Sequence, residues 1–173
     1  MHPSQIKFCQ RIAKELPSFF NRKRVLDVGA LNINGSNKSL FRDCQYYGLD
    51  VVGGNNVDII SIAHEYNDPF GFDVVISTNA LEHDMYYEQT LKNMYVLLKP
   101  SGLMLVSVSH SHGEHGTRSK NPTASGTSAI EGWCDYYKNL TEDDFRTALD
   151  MGGFSQYILE VVKPDLQFWG IKK

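Results

Sequence analysis

The sequence predicts an α/β protein with a doubly wound, mostly parallel, seven-stranded Rossmann-like sheet and an antiparallel C-terminal strand. Short β-branched runs alternate with segments of helical spacing, which is typical of such sheets. A predicted helix over 84–98 lies between two strand-like runs, and this order indicates a parallel crossover. Near the C-terminus, two apolar runs are separated only by Lys163-Pro164-Asp165, which is too short for a parallel crossover, so these runs must be antiparallel.

Composition and length fit one domain over residues 1–173, because domains usually have about 100 to 200 residues. Apolar residues make up 42% and charged residues 21%, which excludes a disordered or fibrous chain. A formal charge of -3 disfavours a nucleic-acid partner. No apolar run approaches the length of about 18 residues that a membrane span needs, and no secretory signal is evident. We therefore expect a cytoplasmic monomer or homodimer.

The first element should be an amphipathic helix, because apolar residues recur at steps of three and four between Pro3 and Pro17. Five strand-like runs follow, over 24–29, 45–50, 56–60, 72–77 and 103–109.

Two further helices have recognisable ends. Asp84 is the expected N-cap of the helix between the fourth and fifth strands, and Lys99-Pro100-Ser101-Gly102 is its expected stop. Thr141 and Asp144 form a capping-box pattern, which predicts a helix to about Met151. Between these helices, the polar stretch 110–132 should be a long loop, and the final hairpin should pair 157–162 with 166–171.

Ligands of open α/β sheets bind at the carboxyl ends of the strands, so the turn after Gly29 is a candidate site. The dinucleotide fingerprint needs glycine at positions 29, 31 and 34, but Leu31 and Asn34 occupy two of them. Their side chains would obstruct a pyrophosphate at a helix N-terminus, whereas S-adenosylmethionine carries no phosphate. Asp50 suits the ribose hydroxyls of either cofactor and does not decide between them.

Several runs in order resemble class I S-adenosylmethionine-dependent methyltransferases of the small single-domain type. They are Val25-Leu26-Asp27-Val28-Gly29, Tyr47-Gly48-Leu49-Asp50, Phe72-Asp73-Val74-Val75-Ile76-Ser77 with Ala80-Leu81-Glu82-His83, and Leu97-Leu98-Lys99-Pro100-Ser101-Gly102. The terminal hairpin extends the resemblance, because the seventh strand of that family is inserted antiparallel.

The resemblance implies S-adenosylmethionine as cofactor. It implies that Asp27 and Gly29 form the turn beside the methionine part, that Asp50 binds the ribose, and that Ser77 to Asn79 lie beneath the sulfonium. The other implied cofactor residues are Ala30, Leu31, Gly35, Val51, Ile62 and Ala63.

Two positions depart from the family pattern. Leu31 replaces a usual glycine in the first turn. Ile62 stands where a carboxylate often binds adenine N6, so we expect apolar contact with Ile62 and the backbone of Ala63 to hold the adenine.

Methyl transfer is an in-line displacement that needs a base only when the acceptor carries a proton. Glu82 and His83 follow the fourth strand, where side chains can face the methyl group. His83 is therefore the leading candidate base, and Glu82 is a candidate substrate contact. The alternative is that both residues merely cap the next helix.

The run His110-Ser111-His112-Gly113-Glu114-His115 is similar to the HxHxDH metal-binding run of metallo-β-lactamase-like hydrolases. Such a site also needs a later histidine, and none follows His115, so no metal site is expected. We instead expect this run to begin a lid, with His115 as a second catalytic candidate and Arg118 reaching the substrate. A surface loop without a chemical role is the alternative.

Trp133, Tyr136 and Tyr137 precede the helix at Thr141 and are candidates for an aromatic surface against a ring-shaped acceptor, or for core residues. The favoured function is methylation of a hydroxyl or amine of a small-molecule acceptor. The alternatives are a non-catalytic S-adenosylmethionine-binding module, an NAD-dependent oxidoreductase and a metal-binding hydrolase.

Overall fold

A computed structural model describes residues 3–173. Seven strands form one sheet in the order β3-β2-β1-β4-β5-β7-β6. The strands are β1 (Arg24–Val28), β2 (Gln45–Asp50), β3 (Ile59–Ile60), β4 (Phe72–Thr78), β5 (Leu98–Ser109), β6 (Phe154–Val162) and β7 (Asp165–Lys172). The α-helices are α1 (Pro3–Glu15), α2 (Tyr87–Leu97) and α3 (Glu142–Ala148).

The predicted fold class is confirmed. Strands β1 to β5 are parallel to one another, whereas β7 lies antiparallel between β5 and β6. The turn between β6 and β7 is too short for a crossover, which forces the reversal. The register places Asp165 of β7 opposite Ser109, so the hairpin brings a carboxylate to the edge of the sheet where β5 ends.

Helices cover both faces of the sheet. On one face, Phe8, Cys9 and Ile12 of α1 pack against inward residues of β1, β4 and β5. On the other face, α2 and α3 pack against the same strands through residues such as Leu91 and Phe145. Strands buried on both faces read as nearly continuous apolar runs, which explains why their positions could be predicted.

The structure corrects several predicted boundaries. The N-cap of α2 is Tyr86 rather than Asp84. The Asp84 carboxylate, before the helix, accepts hydrogen bonds from the Tyr86 amide and from Thr90 Oγ1 in the first turn of the helix. Strand β3 has only two residues. Helix α3 ends at Ala148, and the segment to Gly153 is completed by a short 3₁₀ turn.

The connection from β1 to β2 contains a 3₁₀ turn at Lys38–Leu40 and no α-helix. The first turn therefore has no helix N-terminus that could bind a phosphate. The segment 110–132 likewise contains only short 3₁₀ turns, at Pro122–Ala124 and Gly126–Ala129. None of the helices in residues 3–173 has the length and apolar character that a membrane span requires.

Candidate cofactor and acceptor clefts

A cleft opens at the carboxyl ends of β1, β2 and β4. This is the edge at which ligands bind in open α/β sheets. Its sides are mainly apolar, with carboxylates at Asp50 and Asp84. The apolar lining residues are Val28, Leu31, Ile33, Leu49, Val51, Ala63, Ala80, Leu81, Ala124 and Trp133.

A second cleft adjoins the first. The two share a floor formed by Gly29, Asn79 and His83. The second cleft extends from this floor to Asp27 on one side and to His115 on the other. We call the first the cofactor cleft and the second the acceptor cleft, after the roles that we propose for them below.

Position 29 requires glycine for two reasons, its backbone conformation and the close approach of Ala80. Its φ of 78° lies in the left-handed region, and a Cβ atom at this position would lie 2.1 Å from Ala80 Cβ. The amides of Gly29 and Ala30 both donate to Leu49 O, at 2.8 and 3.0 Å. The turn after β1 is thereby fixed against both neighbouring strands.

Asp50 also fixes this turn. Its Oδ2 accepts a hydrogen bond of 3.0 Å from the Leu31 amide, and its Oδ1 accepts one of 3.3 Å from the Val52 amide. Burial raises the pKa of Asp50 above its usual value. Because each carboxylate oxygen has two acceptor positions, Asp50 can still accept hydrogen bonds from a ligand's hydroxyl groups.

Leu31 fits the turn because two nearby positions carry no side chain. A Cβ atom at Gly54 would lie 2.4 Å from Leu31 Cδ1, and one at Gly126 would lie 3.2 Å from Leu31 Cδ2. Leu31 therefore replaces the expected glycine without moving its own amide away from Asp50.

The segment 110–132 covers the cofactor cleft. Its residues Ala124 to Thr127 line that cleft, and Trp133 follows them there. A Cβ atom at Gly126 would lie 2.4 Å from Val52 Cγ2 and 3.7 Å from Asp50 Oδ1, so the loop backbone lies directly over the end of β2. The same segment also contributes His115, Asn121 and Ala124 to the acceptor cleft, so the predicted lid over an acceptor stays a prediction.

Asp27 lines the acceptor cleft and is almost fully buried. Burial raises the pKa of its carboxyl to about 6, although a hydrogen bond of 2.6 Å from the Tyr46 hydroxyl acts in the opposite direction. Asp27 is therefore mainly ionised at neutral pH and places a negative charge beside the first turn.

Asn79 has a left-handed backbone with φ 53° directly after β4. Its amide donates to Ser107 O at 3.0 Å, and its Oδ1 accepts a hydrogen bond from Gln5 Nε2. Gln5 Nε2 also lies 3.3 Å from Asp165 Oδ1, so the first turn of α1 is bonded to the floor of both clefts. Gln5 and Asp165 have no recognisable signal in the sequence.

His83, His115 and Tyr137 form an aromatic cluster at the end of the acceptor cleft. The His83 ring centroid is 5.1 Å from that of His115 and 5.4 Å from that of Tyr137. Burial, and to a smaller extent His115, lowers the pKa of His83 to about 4, so His83 is neutral at physiological pH. Its Nδ1 atom is buried and has no hydrogen-bond partner among the described residues.

Glu82 is fully buried and does not line either cleft. Its Oε1 accepts a hydrogen bond of 2.9 Å from Ser109 Oγ, whereas its Oε2 has no partner among the described residues. Burial raises the pKa of Glu82 to about 7. Its ligand atom lies within 4.8 Å of those of His83 and His115.

Most predicted cofactor residues line one cleft or both: Asp27, Gly29, Ala30, Leu31, Gly35, Asp50, Val51, Ala63 and Asn79. Ser77 does not, because it is buried and its hydroxyl donates to Val28 O at 2.8 Å. Ile62 also lies outside both linings, while the adjacent Ala63 is in the cofactor cleft.

Two predicted substrate contacts also lie elsewhere. Arg118 forms an ion pair with Asp135 on the surface, and 59% of its side chain is exposed. Tyr136 is half-buried outside both linings, whereas the adjacent Tyr137 contacts the histidine cluster. Which of these two adjacent tyrosines contacts the histidines depends on tertiary packing, and no sequence pattern predicts it.

The three histidines of the run 110–115 have different hydrogen-bond partners, although the His112 and His115 ring centroids are 6.3 Å apart. His110 Nδ1 lies 2.9 Å from Leu140 O, and His112 Nε2 lies 3.1 Å from Asp165 Oδ1. His115 alone of the three lies against His83. The arrangement needed for the alternative two-metal hydrolase is therefore not formed by the described residues.

The charge of the clefts disfavours a dinucleotide. Asp27, Asp50 and Asp84 lie in their linings, and none of the described lining residues is lysine or arginine. A pyrophosphate would lie among negative charges without a helix N-terminus to stabilise it. A phosphate-free cofactor that carries positive charge fits this lining better.

Residues 4–156 match a family profile described as a methyltransferase domain. No curated protein sequence matches the chain significantly.

Solved structures show the same fold. The chain is similar to a 1,6-didemethyltoxoflavin-N1-methyltransferase of Burkholderia thailandensis, crystallised with 1,6-didemethyltoxoflavin and S-adenosylhomocysteine. The identity is 18%, 98% of this chain and 79% of that chain are covered, and the TM-score is 0.63. The chain is also similar to the N-methyltransferase NodS of Bradyrhizobium japonicum WM9 in complex with S-adenosylhomocysteine. The identity is 13%, 99% of this chain and 88% of that chain are covered, and the TM-score is 0.62. Because the family profile covers most of its residues, the chain belongs to the methyltransferase domain family.

Proposed function

We propose that this methyltransferase uses S-adenosylmethionine to methylate a hydroxyl or amine of a small molecule. The observation that carries the proposal is the junction of the two clefts at Asn79 and His83. On one side of the junction, a buried carboxylate lies among apolar residues, as a nucleoside requires. On the other side lie two histidines that can contact an acceptor.

The cofactor cleft fits the parts of S-adenosylmethionine. Val51, Ala63 and Trp133 offer apolar contact for an adenine, and Asp50 accepts ribose hydroxyls. Asp27, in the adjoining acceptor cleft, attracts a methionine ammonium group that reaches past the shared residues. When bound, the cofactor supplies an activated methyl group on a positively charged sulfur. The two structural neighbours crystallised with S-adenosylhomocysteine support this assignment.

The acceptor cleft favours neutral acceptors, because none of its described lining residues is lysine or arginine and its one described carboxylate, Asp27, is assigned to the methionine ammonium group. His83 is the proposed base, because it lines the acceptor cleft beside the shared Asn79 and because a neutral imidazole has a nitrogen lone pair that can accept the proton that the acceptor loses. His115 and Tyr137 keep the His83 ring in place by contact. The small acceptor bound by the toxoflavin enzyme supports a small-molecule substrate.

Parallel calorimetric titrations with S-adenosylhomocysteine and with NAD test the cofactor. We expect binding of S-adenosylhomocysteine alone. Binding of NAD, or of neither compound, would contradict the proposal.

A screen of small alcohols, phenols and amines with methyl-labelled cofactor then tests catalysis. Label transfer to one class identifies the acceptor atom. A protein that binds S-adenosylhomocysteine tightly but transfers no label to any class would instead be a non-catalytic binding module.

A further inference from the structure

Glu82, His83 and His115 are arranged like the ligands of a metal ion. One ligand atom from each lies within 4.8 Å of the other two. Three atoms so spaced leave a point no farther than about 2.8 Å from all of them, and small side-chain rotations would shorten this to the roughly 2.0 to 2.2 Å of zinc–nitrogen and zinc–oxygen bonds.

We propose that Glu82, His83 and His115 bind a divalent transition-metal ion, with Zn²⁺ as the best-matched ion. Two histidines and one carboxylate are the protein ligands of a well-known type of catalytic zinc site, which keeps a further position open for another ligand. Mg²⁺ and Ca²⁺ prefer oxygen ligands alone and match this donor set poorly.

Unpartnered polar atoms in two of these side chains support the proposal. Glu82 is 0% exposed and its Oε2 has no hydrogen-bond partner among the described residues; His83 is 3% exposed and its Nδ1 has none either. Buried polar atoms without partners are uncommon in folded proteins and call for an explanation such as an ion. A cation in the cluster would provide these side chains with a charged partner.

The hydrogen bonds around the three side chains orient them as metal ligands. His115 Nδ1 lies 2.9 Å from Gly113 O, and donation to that carbonyl makes Nε2 the nitrogen that carries the lone pair. Metal-binding histidines commonly donate their other ring N–H in this way. Glu82 is fixed through the hydrogen bond from Ser109 Oγ to its Oε1.

The position of the cluster gives the ion a role in the proposed reaction. His83 and His115 both line the acceptor cleft, so an ion bound between them can hold an acceptor oxygen or nitrogen at its open position. The His83 lone pair is then used by the metal, and the ion rather than His83 assists the loss of a hydroxyl proton to solvent. This role rests on the proposed function, whereas metal binding itself does not.

Calorimetric titration of the full chain with Zn²⁺, after treatment with a chelator and without cofactor or acceptor, tests the proposal. We expect one ion per chain for the wild type. The variant His115→Ala should bind the ion at least about tenfold more weakly, because it removes a ligand. Glu82→Gln should also weaken binding while keeping the size of the side chain.

His110→Gln is the matched control, because His110 belongs to the same histidine run but bonds to Leu140 O instead of joining the cluster. Its affinity for Zn²⁺ should equal that of the wild type. No binding by the wild type, or equal affinity in His115→Ala, would overturn the proposal. An equal loss in His110→Gln and His115→Ala would also overturn it, because the ion would then belong to the 110–115 run.

Titration of the same samples with S-adenosylhomocysteine separates this proposal from the proposed function. Cofactor binding without Zn²⁺ binding would remove the metal site and leave the proposed cofactor in place. Zn²⁺ binding without cofactor binding would keep the metal site and contradict the proposed cofactor. Retained cofactor binding by His115→Ala would also show that this variant is folded.

Discussion

The side-chain amide of Gln5 in α1 donates a hydrogen bond to Asn79 Oδ1, which lies directly after β4 on the floor shared by both clefts. The two residues are 74 positions apart, and Gln5 is fully buried. The first turn of the N-terminal helix is thus part of the structure that supports the site.

Gln5→Met should lower the free energy of unfolding by about 1 to 3 kcal/mol, because Asn79 and Asp165 would each lose a buried donor. It should also weaken S-adenosylhomocysteine binding through displacement of Asn79. Urea denaturation and calorimetry measure the two effects. Gln10→Met, on an exposed position of the same helix, is the control. Equal stability of the two variants would show that the Gln5 bond contributes nothing.

Asp50→Ala should weaken S-adenosylhomocysteine binding by about 1 to 3 kcal/mol, because charge-assisted hydrogen bonds to the ribose are lost. Asp50→Asn retains an acceptor for the Leu31 amide, so its effect reports the lost charge with less disturbance of the turn. Calorimetry measures both affinities, with the exposed Asp143→Ala as control. Unchanged affinity in both Asp50 variants would remove Asp50 from the site.

Gly126→Ala tests whether close contact between the loop at Gly126 and the end of β2 at Val52 is needed to retain a bound cofactor. The added methyl group would lie 2.4 Å from Val52 Cγ2, so the loop must move or the protein must lose about 1 to 3 kcal/mol of stability. We expect faster dissociation of S-adenosylhomocysteine in stopped-flow measurements. Gly113→Ala lies in the same loop with open space around it and should behave as wild type. The same dissociation rate in both variants would contradict the assigned position of the loop.

Asp27 should make stability depend on pH. Its pKa is about 6 in the folded protein and about 3.8 in the unfolded chain, so the folded state binds the proton more strongly. The ionised form is therefore less favourable in the folded state, and stability should fall as pH rises from about 4 through 6. The full difference is about 3 kcal/mol.

Asp27→Asn removes this charge and keeps an acceptor for the Tyr46 hydroxyl. Urea denaturation between pH 4 and 7 should show the wild type losing stability relative to this variant as pH rises. Asp143→Asn should differ from the wild type by a nearly constant amount over the same range, because Asp143 is exposed. A constant difference for Asp27→Asn as well would refute the assigned pKa.

The sequence by itself determined the sheet and the strand ends that line the two clefts. Apolar β-branched runs mark strands buried on both faces, and the short turn at Lys163 and Pro164 leaves only an antiparallel pairing. Gly29 and Asp50 could be placed because each lies a fixed step after or within such a run.

Only the tertiary structure decided which side chains complete the site. Gly126 lies over Asp50, and His115 joins His83 while His112 turns to Asp165. The Asp84 carboxylate accepts a hydrogen bond from Thr90 Oγ1 and is not the N-cap residue of α2. Local periodicity predicts the secondary structure of neighbouring residues. Contacts between distant residues depend on how the loop 110–132 and helix α1 pack on the completed sheet, and the sequence pattern of neither segment predicts that packing.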